Sequence, residues 1–125
     1  MQFYSTNRKT SPVSLREAVV RGLAADRGLF MPEVIRRFPP AFYQNMKEMS
    51  LREISFVVAE AFFGEDVEAG KLKEIVDETL NFDIPLVQVA DNRYSLELFH
   101  GPTLAFKDVG ALSLIHISEP TRHSL

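Results

Sequence analysis

Cysteine is absent from all 125 residues. Disulfides, thiolate metal sites and cysteine nucleophiles are therefore excluded. Histidine is nearly as scarce, and three scattered imidazoles make a poor metal cage. No excess of positive charge exists either: 14 basic residues are interspersed among 17 acidic ones, for a net charge of -3, which leaves no electrostatic footprint for nucleic acid. No apolar run approaches the roughly 18 residues of a spanning helix, and the N-terminus lacks the charged-then-apolar pattern of a signal peptide. The expectation is a cytoplasmic protein with no membrane partner. Internal repeats and low-complexity segments are also missing. Any demanding chemistry must come from an organic cofactor or from carboxylates. A chain of this length permits one small domain, or one domain and a piece of another.

What is present is well punctuated. Ser14-Leu-Arg-Glu17 reads as a capping box opening a helix whose inward stripe is Leu15, Ala18 and Val19. Gly22 falls where a left-handed cap ends that helix, and Asp26-Arg-Gly28 forms a turn before Leu29-Phe-Met-Pro32. The glycines match neither a dinucleotide fingerprint nor a P-loop, so they are read as turns. Pro39-Pro40 breaks the chain before a short helical stretch, with Phe42, Met46 and Met49 spaced for core packing. Ser50-Leu-Arg-Glu53 is a second capping box; Leu51, Ile54, Val58, Ala61 and Phe62 lie on one face of its helix, which Gly64 stops. A further helix is expected from about Val67 to Leu80, with Leu72, Ile75, Val76 and Leu80 inward and its charges in solvent.

After Ile84-Pro85 the period becomes alternating. Leu86–Val89 and Tyr94–Leu98 flank Asp91-Asn92 as an antiparallel hairpin, the second strand half-buried through Tyr94, Leu96 and Leu98. Gln88 and Glu97 are read as solvent-facing rather than as a catalytic pair. Gly101-Pro102 then forces a turn, Thr103 is placed to cap a helix beginning near Leu104, and Lys107 falls in its first turns. The positive end of a helix dipole disfavours an ammonium there and favours the neutral amine able to attack an aldehyde.

The run Glu97-Leu-Phe-His-Gly-Pro-Thr-Leu-Ala-Phe-Lys-Asp108 closely resembles the cofactor-lysine motif of the threonine synthases, which are pyridoxal-phosphate enzymes. Tyr4-Ser-Thr6 and Gly22-Leu-Ala-Ala-Asp-Arg-Gly-Leu-Phe-Met-Pro32 are similar to that family's N-terminal signatures, and the resemblance covers residues 1–111. It implies an α/β architecture: the truncated N-terminal portion of a fold-type II pyridoxal-phosphate enzyme, with a helical N-terminal domain over 1–80, then a hairpin and the start of the cofactor domain over 81–111. It also implies a carbon–oxygen lyase that converts O-phospho-L-homoserine and water to L-threonine and phosphate. A related phospho-lyase on the same scaffold is the alternative. By resemblance, Lys107 is the catalytic residue and forms the Schiff base with pyridoxal 5'-phosphate, while His100, Thr103 and Asp108 match motif positions and are the further cofactor-binding candidates, with contact to cofactor, substrate or only neighbouring backbone left open. For His100 a turn-stabilising role competes with an acid or base role.

From Leu112 the chain departs from the family pattern into Ser113-Leu-Ile-His-Ile-Ser-Glu-Pro-Thr-Arg122. That string resembles the reading-frame translation of a sequencing-library adapter, so residues 112–125 are expected to be a non-native tail. The competing view is a natural tail in which His116 and His123 bind a ligand. The cup of amides for the cofactor phosphate and the partner of the pyridine nitrogen are expected downstream of this departure, which leaves the chain as it stands a noncatalytic piece.

Overall fold

The computed structural model describes residues 1–110; the expected non-native tail, 112–125, lies outside the described residues. The chain begins with strand β1 (Gln2–Ser5), the centre of a three-stranded antiparallel sheet flanked by β2 (Val13–Ser14) and β3 (Phe30–Pro32). The segment expected to be helical therefore carries a sheet as well. Its strands are only two to four residues long, too short to show a period of two. Phe3 pairs with Val13 on one side and Pro32 on the other, and Ser5 pairs with Phe30. Residues two apart on a strand share a face, and both Phe3 and Ser5 are buried. Phe3 joins Leu15 and Ala18 in the core cluster.

Helix α1 (Leu15–Arg21) starts where expected. The Glu17 N–H donates to the Ser14 hydroxyl at 3.2 Å, but the reciprocal half of the expected capping box is missing, because the Glu17 carboxylate pairs with Arg21 one turn on at 2.8 Å. Gly22 ends the helix with φ +70° and donates its N–H to the Ala18 carbonyl at 3.0 Å. In the next turn the left-handed residue is Arg27, at φ 66°. Asp26 ties this turn to the sheet. Its Oδ1 accepts from the Ser5 hydroxyl at 2.5 Å and the Gly28 N–H at 3.0 Å, and its Oδ2 accepts from the Lys9 N–H at 3.0 Å.

These bonds, the Ser5 hydroxyl foremost, hold the Asp26 carboxyl below the ordinary carboxylate range. A lowered folded-state value contributes stability that is fully present above the ordinary value and is lost as pH falls through the lowered one. Asp26→Asn is thus expected to lower the urea midpoint at neutral pH and to flatten its fall on acidification. An unaltered acid-side slope in the variant would assign that slope to other carboxylates.

Helix α2 (Pro40–Asn45) is followed by a 3-10 turn at Met46–Glu48. The expected core role of Phe42, Met46 and Met49 is not realised: Phe42 and Met49 are half-buried and Met46 is exposed. Phe42 instead packs on Phe38 and Tyr43, with ring centroids 4.6 and 5.4 Å away. Helix α3 (Leu51–Phe63) has the full capping box, with Ser50 N–H donating to Glu53 Oε2 at 2.7 Å and Glu53 N–H to the Ser50 hydroxyl at 3.3 Å. It packs against α4 (Ala69–Thr79), which is shorter than expected because Glu68 caps it by accepting the Gly70 N–H.

The α4 stripe of Leu72, Ile75 and Val76 is buried. The α3 stripe is not a closed core, however. Leu51 is exposed, Ile54, Val58, Ala61 and Phe62 are half-buried, and no residue of α3 is fully buried, because among the described elements α4 is its main neighbour. Ser50→Ala is expected to cost about 1 kcal/mol, and Ser14→Ala somewhat less, since Ser14 caps through one contact rather than two. Urea midpoints of the two variants check this; equal losses would show that the second bond of the Ser50 hydroxyl, donated to Glu53 Oε2 at 2.7 Å, adds nothing.

The hairpin of β4 (Leu86–Ala90) and β5 (Arg93–Leu96) forms a separate two-stranded sheet, turning at Asn92 with φ 56°. Leu86 faces Leu96 and Gln88 faces Tyr94, with a register irregularity before Ala90. The expected half-burial holds only for Leu98: Tyr94 is 57% and Leu96 56% exposed, and every residue of β4 is exposed. Alternation marks which residues share a face; it does not supply the layer that covers them.

Candidate functional site

The hairpin feeds the chain from Leu96 through Phe99 and His100 into a loop closed between Gly101 and Asp108. Gln88 and Glu97 do not form a pair. The Gln88 amide donates to the Ala90 carbonyl at 3.3 Å, while Glu97 Oε2 lies 2.6 Å from His100 Nε2. His100 also stacks on Phe99 at a centroid distance of 4.8 Å. These two contacts fix the imidazole at the entrance to the loop.

Beyond Pro102 the structure departs from the expected helix. Leu104 has φ 57°, a left-handed conformation that costs a leucine about 1–2 kcal/mol and cannot begin an α-helix. Thr103 consequently caps nothing at Leu104. Its N–H donates to Asp108 Oδ2 at 2.8 Å and its hydroxyl donates to Asp108 Oδ1 at 2.5 Å. Turns follow, closed by the Asp108 N–H on the Ala105 carbonyl at 3.0 Å, and helical backbone begins at Asp108.

Asp108 is only 3% exposed, and both of its oxygens bond to Thr103. Gly101 lies directly against it: a Cβ at position 101 would sit 2.5 Å from Asp108 Oδ2 and 2.6 Å from Asp108 Cβ. The requirement at Gly101 is close approach, since no side chain fits between the two strands of the loop. Lys107 is the last residue before the helix, and its side chain is exposed. Its carbonyl accepts the Gly110 N–H at 3.1 Å. Leu104 and Phe106, both exposed, are near it in the loop.

The loop thus presents a primary amine to solvent beside apolar side chains, with the neighbouring aspartate turned inward. That amine is open to approach by an aldehyde, the electrophile with which a lysine forms a Schiff base. The four residues singled out from the sequence fall into two groups. Thr103 and Asp108 are bonded to each other across the loop that carries Lys107, whereas His100 is held by Glu97. The left-handed Leu104 and the Gly101–Asp108 contact had no signal in the sequence beyond the Gly101-Pro102 turn.

The family model described as "Threonine synthase N terminus" matches residues 2–80. Threonine synthase from Schizosaccharomyces pombe is 36% identical over 125 residues, covering 95% of this chain and 24% of that protein. The Haemophilus influenzae threonine synthase is 38% identical over 110 residues, covering 88% and 25%. Among solved structures, threonine synthase from Escherichia coli superposes with a TM-score of 0.89 at 31% identity, over 98% of this chain and 28% of the other. A PLP-bound threonine synthase from Brucella melitensis gives 0.89 at 32% identity, over 99% and 28%.

An α-and-β N-terminal region leading through a hairpin to a lysine-bearing turn is the N-terminal portion of the fold-type II pyridoxal-phosphate enzymes. The chain spans about a quarter of the length of the relatives it matches. It belongs to the threonine synthase family.

Proposed function

We propose that the chain is the N-terminal part of an enzyme that converts O-phospho-L-homoserine and water to L-threonine and phosphate, with Lys107 as the residue that bears pyridoxal phosphate. The observation that carries this reading is the placement of Lys107: an exposed amine on a turn closed by a buried aspartate, within a chain that superposes on threonine synthases. Its accessible primary amine fits the aldehyde of the cofactor. When bound, that cofactor supplies an electron sink for carbanions formed on an amino acid substrate.

The residues of this chain then have distinct tasks. Lys107 would hold the cofactor through its Nζ, and the same amine would be the group that moves a proton at the substrate Cα. Asp108, turned inward, leaves the Lys107 amine without a competing carboxylate from the next residue. His100, fixed by Glu97 and Phe99, borders the loop at its entrance. A small-molecule substrate and a cytoplasmic setting belong to the same reading. Among the described residues no helix is long and apolar enough to cross a membrane.

The cup for the cofactor phosphate is assigned to a part of the enzyme beyond the described residues. No two of the chain's six glycines lie within a short run that could offer adjacent amides to a phosphate. The 125-residue chain by itself is therefore expected to bind pyridoxal phosphate only weakly and to turn over no substrate. Titration with the cofactor, followed by addition of O-phosphohomoserine and measurement of phosphate release, tests both halves. Tight stoichiometric binding, or phosphate release abolished by Lys107→Ala, would show that these residues complete a site by themselves.

A further inference from the structure

We propose that Asp108 is the positioning residue for Lys107, a buried latch that grips Thr103 across the loop and so fixes where the lysine amine is presented. The resemblance places Asp108 and Thr103 at motif positions without saying what they touch, and the geometry supplies the answer. Both Asp108 oxygens are occupied within the loop, one by the Thr103 N–H at 2.8 Å and the other by its hydroxyl at 2.5 Å. A carboxylate that is 3% exposed and doubly bonded in this way has no oxygen directed at a ligand above the loop.

Three features of the loop depend on this grip. Leu104 is held in the left-handed region, where a leucine stays only when its surroundings over-determine it. Gly101 leaves the space into which the Asp108 side chain folds. Lys107 is bonded to Asp108 by a single peptide link, so its Cα moves only as far as Asp108 allows. The aspartate acts through the lysine and not on the substrate. The proposal rests on the reading of Lys107 given above for the purpose of the latch; the latch itself does not.

The test is backbone dynamics of the isotopically labelled 125-residue chain with no cofactor present. The Lys107 N–H is expected to show an order parameter near the rigid value of about 0.85. In Asp108→Ala and in Thr103→Val it falls below about 0.6, while the amides of α4 are unchanged. Thr103→Ser, which keeps the hydroxyl and the N–H, restores the rigid value. Gly101→Ala, which removes no hydrogen-bonding group but fills the space beside Asp108, mobilises Lys107 as Asp108→Ala does. Combining Thr103→Val with Asp108→Ala adds little to either alone, because both open the same ring.

A Lys107 amide that stays rigid in Thr103→Val and Gly101→Ala overturns the proposal, as does failure of Thr103→Ser to restore order. If Asp108→Ala fails to fold, those two variants still decide. Because no cofactor is used, the two readings fail separately: a mobile loop in these variants, with the cofactor of the full-length chain fixed by borohydride on another lysine, would refute the function assigned to Lys107 and leave the latch standing.

Discussion

Replacing Lys107 with Ala in a full-length family chain carrying residues 1–110 is expected to cut kcat by at least about 10³-fold, the usual scale for removing a positioned acid–base group. The same change should abolish the cofactor that is retained through denaturation after borohydride treatment. Both losses follow from one amine doing two tasks, covalent attachment and proton transfer at Cα. Three of the four other lysines of the described region are poor substitutes. Lys71 and Lys73 are ion-paired to Glu74 and Asp77 on α4, each at 2.8 Å, and Lys47 lies on the 3-10 turn beside Glu48. Lys71→Ala and Lys73→Ala are the matched controls and should leave turnover unchanged. Substantial activity in Lys107→Ala would remove the basis for the assignment.

Gly28→Ala is expected to be the most damaging single methyl group in the N-terminal sheet. A Cβ at Gly28 collides with the Ser5 hydroxyl oxygen, sits 2.9 Å from the Asn7 backbone nitrogen and 3.1 Å from Asp26 Oδ1. Ser5 is fully buried and its hydroxyl is bonded to Asp26, so the methyl group must either displace β1 or break that bond. Overpacking of this kind costs about 1–3 kcal/mol, and breaking the bond instead leaves a buried hydroxyl unsatisfied at about the same cost. A loss of about 2–3 kcal/mol is a large share of the stability of a small domain. Urea denaturation followed by circular dichroism measures it. A loss below about 0.5 kcal/mol, the ordinary range for surface changes, would mean that the turn shifts freely and that the Asp26 bonds do not tie it to β1.

Gly28 also shows how far the sequence could be read. Asp26-Arg-Gly28 was legible as a turn, but the glycine is required by the approach of Ser5, and the left-handed position belongs to Arg27. That demand is made by a residue 23 positions away and leaves no local trace. Helix starts were legible wherever a side chain closes on the backbone three residues on, as at Ser14 and Ser50, because the signal and the cause are both local. The hairpin was legible for the same reason, through Asn92 and the alternation around it. The sheet of β1, β2 and β3 was not, since β2 is only two residues long and β3 pairs with β1 across the length of α1 and its turn.

Burial was the least legible quantity. The apolar stripes of α3 and α4 differ in cover: α4 buries Leu72, Ile75 and Val76, whereas no residue of α3 is fully buried. At the site, the motif marked Lys107, while the shape of its loop depended on an Asp108–Thr103 contact and on a left-handed leucine that propensity disfavours. Local propensity gives way there to tertiary contacts, which hold the left-handed backbone in place.

The most direct measurement is a peptide map of the full-length chain after its bound pyridoxal phosphate has been fixed with borohydride and the protein digested. A single pyridoxyl group is expected, on the peptide containing Phe106-Lys107-Asp108. A pyridoxyl group found on any other lysine, with Lys107 unmodified, would contradict it.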